Sequence, residues 1–137
     1  MSVVKELLRA EADGTLSFGN YELAEKSKLS DFEHKGDMYK VKTFKEITKL
    51  ERNGVFVYES VPGTSVNHFI EESQEVGFGV EGNEDAQITL GLKDDTEYEV
   101  FVGGESAGKM KTHLGGKLSL SVELVDMGEV FVKVVEA

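Results

Sequence analysis

Apolar and polar residues exchange places one by one along most of this chain. In Lys117 to Leu124, Leu118, Leu120, Val122 and Leu124 fall on one side of an extended segment, and Lys117, Ser119, Ser121 and Glu123 on the other. Side chains alternate across a strand, so the octet predicts one buried face and one wet face. The rhythm recurs at Val76, Phe78 and Val80, at Ile88, Leu90 and Leu92, at Tyr98, Val100 and Val102, and at Val130, Val132 and Val134, with Met110 and Thr112 a weaker instance. Turn dipeptides separate these runs at Gly82-Asn83, Asp94-Asp95, Gly103-Gly104, Gly115-Gly116 and Met127-Gly128.

The first half is less regular. Leu7 to Ala12 and Thr15 to Phe18 flank Asp13-Gly14 and predict a hairpin, with a second turn at Gly19-Asn20. Residues 24 to 37 are polar and read as a surface loop. Tyr39, Val41 and Thr43 share a face of a strand over Met38 to Thr43. Thr43 to Glu46 matches a helix capping box, with Phe44, Ile47 and Leu50 at helical spacing. The competing pattern is stronger: Ile47 to Arg52 and Val55 to Ser60 meet around Asn53-Gly54, a two-residue hairpin turn. Val61-Pro62-Gly63-Thr64 holds the single proline and fits a type II turn. Val66, Phe69 and Ile70 predict one helical turn within residues 65 to 73.

Many short strands at this spacing predict an all-β fold, a compact antiparallel β-sandwich or jelly roll of about 10 to 12 strands with at most one short helix. The 137 residues suit a single domain, 1–137, with a possible seam near 62–65 between N-terminal hairpins (1–63) and a C-terminal antiparallel sheet (64–137).

Charge narrows the partners. The formal net charge of −11 repels phosphate backbones and anionic membrane surfaces, so nucleic acid and membrane are not expected; a protein partner, self or other, or a glycan is. The chain has no cysteine, which excludes disulfides and thiolate metal sites. Lys5, Glu6, Arg9 and Glu11 interrupt any leader-like apolar run in residues 1 to 14, and no stretch approaches a membrane span, so the sequence as written reads as cytoplasmic.

Chemical motifs are sparse. Gly103, Gly108 and Lys109 match most of a phosphate-binding loop, but Met110 stands where Mg²⁺ needs a hydroxyl, and strands flank both sides; a hairpin turn is the better reading. His34, His68 and His113 lie far apart without metal-ligand spacing. The acid clusters Glu81 to Asp85 and Asp94 to Glu97 offer hard oxygen ligands but lack the spaced calcium-loop pattern. No nucleophile elbow is assigned: the Gly-x-Ser-x-Gly spacing at Gly104 to Gly108 falls in the same stretch as the phosphate-loop match, with strands on both sides and no helix following. No catalytic, cofactor-binding or metal-binding residue is assigned, and no cofactor is expected.

One irregularity marks a surface. Phe101 and Phe131 occupy positions that alternation assigns to solvent, with Val135 beside them, and Gly77, Gly79 and Gly91 also point outward. Either the other half of the chain covers this face, or it binds a ligand or a second copy. Tyr21, Tyr39, Tyr58 and Tyr98 are candidates for stacking on a sugar ring.

The runs Tyr39 to Leu50, Asn53 to Thr64 and Gly116 to Leu124 resemble a group of small bacterial proteins labelled endosialidase, over nearly the whole chain. That resemblance implies glycoside hydrolysis of sialic acid polymers. Sialidases typically grip the sugar carboxylate with clustered arginines, and Arg9 and Arg52 are the only arginines here; tryptophan and the Ser-x-Asp-x-Gly-x-Thr-Trp repeat are missing. The expected function is a non-catalytic binding or structural module that self-associates through its outer aromatic face; the alternative is a carbohydrate-binding module or an endosialidase-like glycan-active protein.

Overall fold

The computed structural model describes residues 3–137; residues 1 and 2, which open the stretch read for a leader, lie outside it. Every regular element among them is a strand: β1 (Leu8–Ala10), β2 (Leu16–Phe18), β3 (Ser27–His34), β4 (Asp37–Phe44), β5 (Ile47–Arg52), β6 (Val55–Val61), β7 (Ser65–Glu72), β8 (Glu75–Glu81), β9 (Ala86–Gly91), β10 (Glu97–Val102), β11 (Glu105–Lys111), β12 (Lys117–Val122) and β13 (Val130–Glu136). They form two antiparallel sheets, a seven-stranded one ordered β1-β2-β7-β8-β13-β10-β11 and a six-stranded one ordered β12-β9-β6-β5-β4-β3. The result is an open β-sandwich. Each sheet draws strands from both halves of the chain, and the segment from Pro62 to Thr64 carries the chain from β6 in one sheet to β7 in the other.

The alternation read from the sequence is the inward face of each sheet. Val76, Phe78, Val80, Val130, Val132, Val134, Tyr98 and Val100 on the seven-stranded sheet meet Val41, Leu50, Ile88, Leu90, Leu118, Leu120 and Val122 on the six-stranded sheet in one core. Four rings stiffen its middle. Tyr58 projects from β6 and meets Phe18 edge-on at 5.3 Å and Phe78 at 5.6 Å, while Phe69 stacks on Phe78 at 5.7 Å.

Two stretches differ from their sequence reading, for one reason. Residues 24 to 37 are not a surface loop: β3 runs through them and pairs with β4. Residues 65 to 73 hold no helical turn: they are β7. In β3 the register slips between Leu29 and Phe32, where Asp31 has φ 58°; in β7 it slips between Asn67 and Ile70, where His68 has φ 55°. Such a bulge adds unpaired residues, so the inward residues Val66 and Phe69 fall three apart, as on a helix. These two strands raise the total above the 10 to 12 expected.

The capping-box reading at Thr43 also yields to the hairpin: β5 and β6 close around Asn53 (φ 52°) and Gly54 (φ 78°), both left-handed as a type I′ turn requires. Gly63 does not adopt the positive φ of a type II turn. It is needed for contact instead, because a Cβ there would stand 2.0 Å from the Phe44 carbonyl oxygen. The phosphate-loop match is the β10–β11 hairpin, turning at Gly103-Gly104.

A hydroxyl network anchors the crossover into β7. Thr48 Oγ1 donates to the Thr64 carbonyl at 2.7 Å and accepts the Thr64 N–H at 3.1 Å. The Thr64 hydroxyl in turn pairs with Tyr58 at 2.8 Å and Ser60 at 2.7 Å, and Ser65 donates to the Gly19 carbonyl at 2.8 Å. All five side chains are fully buried, and buried polar groups are tolerated because they are mutually satisfied.

Candidate interaction face

The outer face of the seven-stranded sheet carries the residues that broke the alternation. β13 pairs with β10 on one side and β8 on the other, so Phe131 lies opposite Gly79, Lys133 between Gly77 and Phe101, and Val135 between Glu75 and Glu99. Val132 and Val134 point into the core, so Phe131, Lys133 and Val135 point away from it. Phe101 likewise follows the fully buried Val100. Phe101, Phe131, Gly104 and Lys133 together line a shallow hollow of about 340 Å³.

No element among the described residues covers this hollow: of the first half, β1 and β2 extend the same sheet and β3 to β6 belong to the opposite one. Phe131 is left 63% exposed, Ile70 is partly exposed nearby on β7, and Phe101 and Val135 are half-buried. Space at Gly79 is taken by the Glu129 side chain, whose carboxylate oxygen would lie 2.3 Å from a Cβ. Carboxylates border the patch, and one of them, Glu75, pairs with Lys133 at 3.4 Å.

The tyrosines form no stacking platform. Tyr58 is fully buried, and Tyr21, Tyr39 and Tyr98 expose at most 9% of their surface. Burial holds the phenols of Tyr58 and Tyr39 above their usual range. The Tyr98 hydroxyl accepts the Lys93 N–H at 3.1 Å. Tyr39 and Tyr98 sit in phase with Val41 and Val100, so their inward orientation was readable from the pattern that defined those strands.

A second hollow, of about 310 Å³, opens at one end of the sandwich among Arg52, Phe56, Glu71, Lys93, Tyr98 and Lys117. Its cations are engaged. Arg52 forms an ion pair with Glu71, Lys93 bonds Glu136 at 2.8 Å, and Lys117 lies over the Phe56 ring at 4.7 Å. Although burial opposes its charge, Arg52 is held above the ordinary guanidinium range by Glu71 and Tyr39. The other arginine, Arg9, bridges Glu6 and Glu11.

His68 contacts Asp13 at 3.1 Å and Thr15 at 3.0 Å, and His34 reaches the Gly14 carbonyl. Among the described residues, no group of three His, Cys, Asp or Glu is placed to hold a metal, and no helix is long and apolar enough to cross a membrane. Comparison with protein-family models, curated proteins and solved structures gives no match.

Proposed function

We propose that this chain is a non-catalytic interaction module that self-associates through the outer face of its seven-stranded sheet. The observation that carries this reading is Phe131, left mostly in solvent beside Phe101 on an uncovered face. Buried phenylalanine is worth roughly 1.5–3 kcal/mol, so one copy alone leaves a sizeable part of that stabilisation unused. The glycan-active alternative asks for exposed rings and an arginine free to take a carboxylate. Here the tyrosines face the core and both arginines already hold the chain's own carboxylates.

Sedimentation velocity over a range of concentrations tests the proposal. Wild type should associate, and a Phe101→Ser/Phe131→Ser variant of unchanged circular dichroism should sediment as a monomer. A monomeric wild type at all concentrations, or a folded variant that associates equally well, overturns it.

A further inference from the structure

The outer face of the six-stranded sheet carries a row of lysines, although the molecule as a whole is acidic. Lys28 on β3 lies directly across from Lys42 on β4, and Lys42 directly across from Lys49 on β5. Three ammonium groups thus stand in a row spanning about 10 Å, the width of two strand spacings. Lys40 lies two residues from Lys42 on the same face. Like charges in direct cross-strand opposition destabilise a sheet, so this row is a cost to folding. Burial and then Lys26, Lys28, Lys49 and Lys40 together push the Lys42 ammonium below its ordinary range.

Among the described residues Lys28, Lys40 and Lys42 form no ion pair within 4 Å. Glu51 lies across from Lys40 and pairs with Lys49 at 3.6 Å, and Glu59 lies across from Lys49, so the acids gather at one end of the row and leave Lys28 and Lys42 facing only lysine. Phe56 extends the basic strip across the sheet, with Lys49 at 5.9 Å from its ring and Lys117 at 4.7 Å. Apolar Phe44 and Ile47 are half-buried on the same side, and Val61 is exposed.

The aromatic face has the complementary character. Its phenylalanines are bordered by Glu75, Glu99 and Glu129, and Glu72 opposes Glu75 across β7 and β8; Lys133, which pairs with Glu75, and Lys109, across from Glu99, offset only part of this acidity. Two aromatic faces brought together would set these carboxylates against each other. We propose instead that the aromatic face of one copy docks on the lysine face of the next, so that the sandwiches stack head to tail. This deepens the self-association reading and rests on it.

The two faces lie on opposite sides of the sandwich, so each contact leaves one free face of each kind. A heterologous contact of that geometry propagates instead of closing. Six strands about 4.8 Å apart and about 20 Å long present roughly 600 Å² per copy, which reaches the lower end of specific interfaces when both partners are counted. Attraction between faces of opposite sign weakens as salt screens it.

Complementation tests the arrangement. In low salt, wild type should sediment as ever larger species as concentration rises, and high salt should reduce them. Phe101→Ser/Phe131→Ser and Lys28→Glu/Lys42→Glu/Lys49→Glu should each be monomeric, because each lacks one face. Mixing the two should double the mass and go no further, since only one pair of intact faces remains; that result also shows both variants to be folded. If wild type stops at a dimer and the lysine variant still dimerises, stacking is overturned while association through the aromatic face stands. A wild type that stays monomeric overturns both. Polyphosphate capturing a monomeric wild type but not the lysine variant would assign the lysines to an anionic ligand and likewise overturn stacking.

Discussion

Thr48 is the residue on which the passage from one sheet to the other depends, and replacing it by valine isolates that role. Valine keeps the shape and suits a strand, so packing changes little. Three hydrogen-bonding groups lose their partner: the Thr64 N–H, the Thr64 carbonyl, and the Thr43 hydroxyl at 2.8 Å. Thr43 keeps one bond, accepting the Asn20 N–H at 2.9 Å. A buried polar group left unpaired costs about 1–3 kcal/mol. With partial relaxation, Thr48→Val should lose about 3 kcal/mol. Thr48→Ser keeps the hydroxyl and removes one methyl, a loss of about 1 kcal/mol. For a chain of this length, 1 kcal/mol corresponds to about 3–4 °C, so the expected falls in melting temperature are about 10 °C and about 3 °C. Urea denaturation with equal slopes gives the two free energies directly. Hydrophobicity and strand propensity alone predict the reverse order. Finding Thr48→Ser as unstable as Thr48→Val, or more so, refutes the anchoring role.

Two further outcomes follow from charge. Glu11 is held below the usual carboxylate range chiefly by the Ser17 hydroxyl, which donates to it at 2.6 Å, and then by Arg9. A carboxyl depressed on folding contributes stability above its unfolded value, near 4.5, that disappears as pH falls through the folded value. Ser17→Ala should therefore flatten the acid-side decline of stability in urea melts below about pH 4.5; an unchanged slope counts against the assignment. Lys42→Thr should raise the stability of the monomer by about 0.5 kcal/mol at low salt, since it relieves opposition from Lys28 and Lys49, and the gain should shrink in high salt. Lower stability at low salt would show that the row is not repulsive.

What the sequence disclosed and what it hid divide along a physical line. Period-two alternation survives in strands that carry no inserted residue, so β4, β5, β8, β9, β10, β12 and β13 are readable, and β6, whose register slips against β5, is readable from the Asn53-Gly54 turn that joins the two. A bulge shifts the phase within one strand, and both segments assigned otherwise contain one, at Asp31 and at His68. Phe101, Phe131 and Val135 were legible as an outward set because they sit in well-phased strands. The lysine row was not. It required β3 to be a strand, and it required the β3–β4 and β4–β5 registers, which depend on pairing between segments and not on any one of them. Aromatic character alone marks the tyrosines as stacking candidates, whereas the phase of Tyr39 and Tyr98 puts them with Val41 and Val100 in the core.

The edges of the two sheets bear on why the proposed association runs through faces and not through strand addition. An unpaired edge is the ordinary template for adding a strand, and natural proteins blunt it with short strands, bulges and charge. β1 is three residues long. β3 is bulged at Asp31, and β11 opposes β10 with a register slip while carrying Glu105, Lys109 and Lys111. Only β12 is a straight edge, and its outward residues are Lys117, Ser119 and Ser121, with the Ser119 hydroxyl already 3.0 Å from Thr89. Three of four edges are thus disrupted, whereas the outer faces hold exposed phenylalanine on one side and, on the other, Lys28 and Lys42 opposed only by lysine. Both features work against an isolated monomer, one through unburied apolar surface and the other through repulsion. The proposed heterologous contact would relieve both, because burying the phenylalanines would bring carboxylates to the lysines.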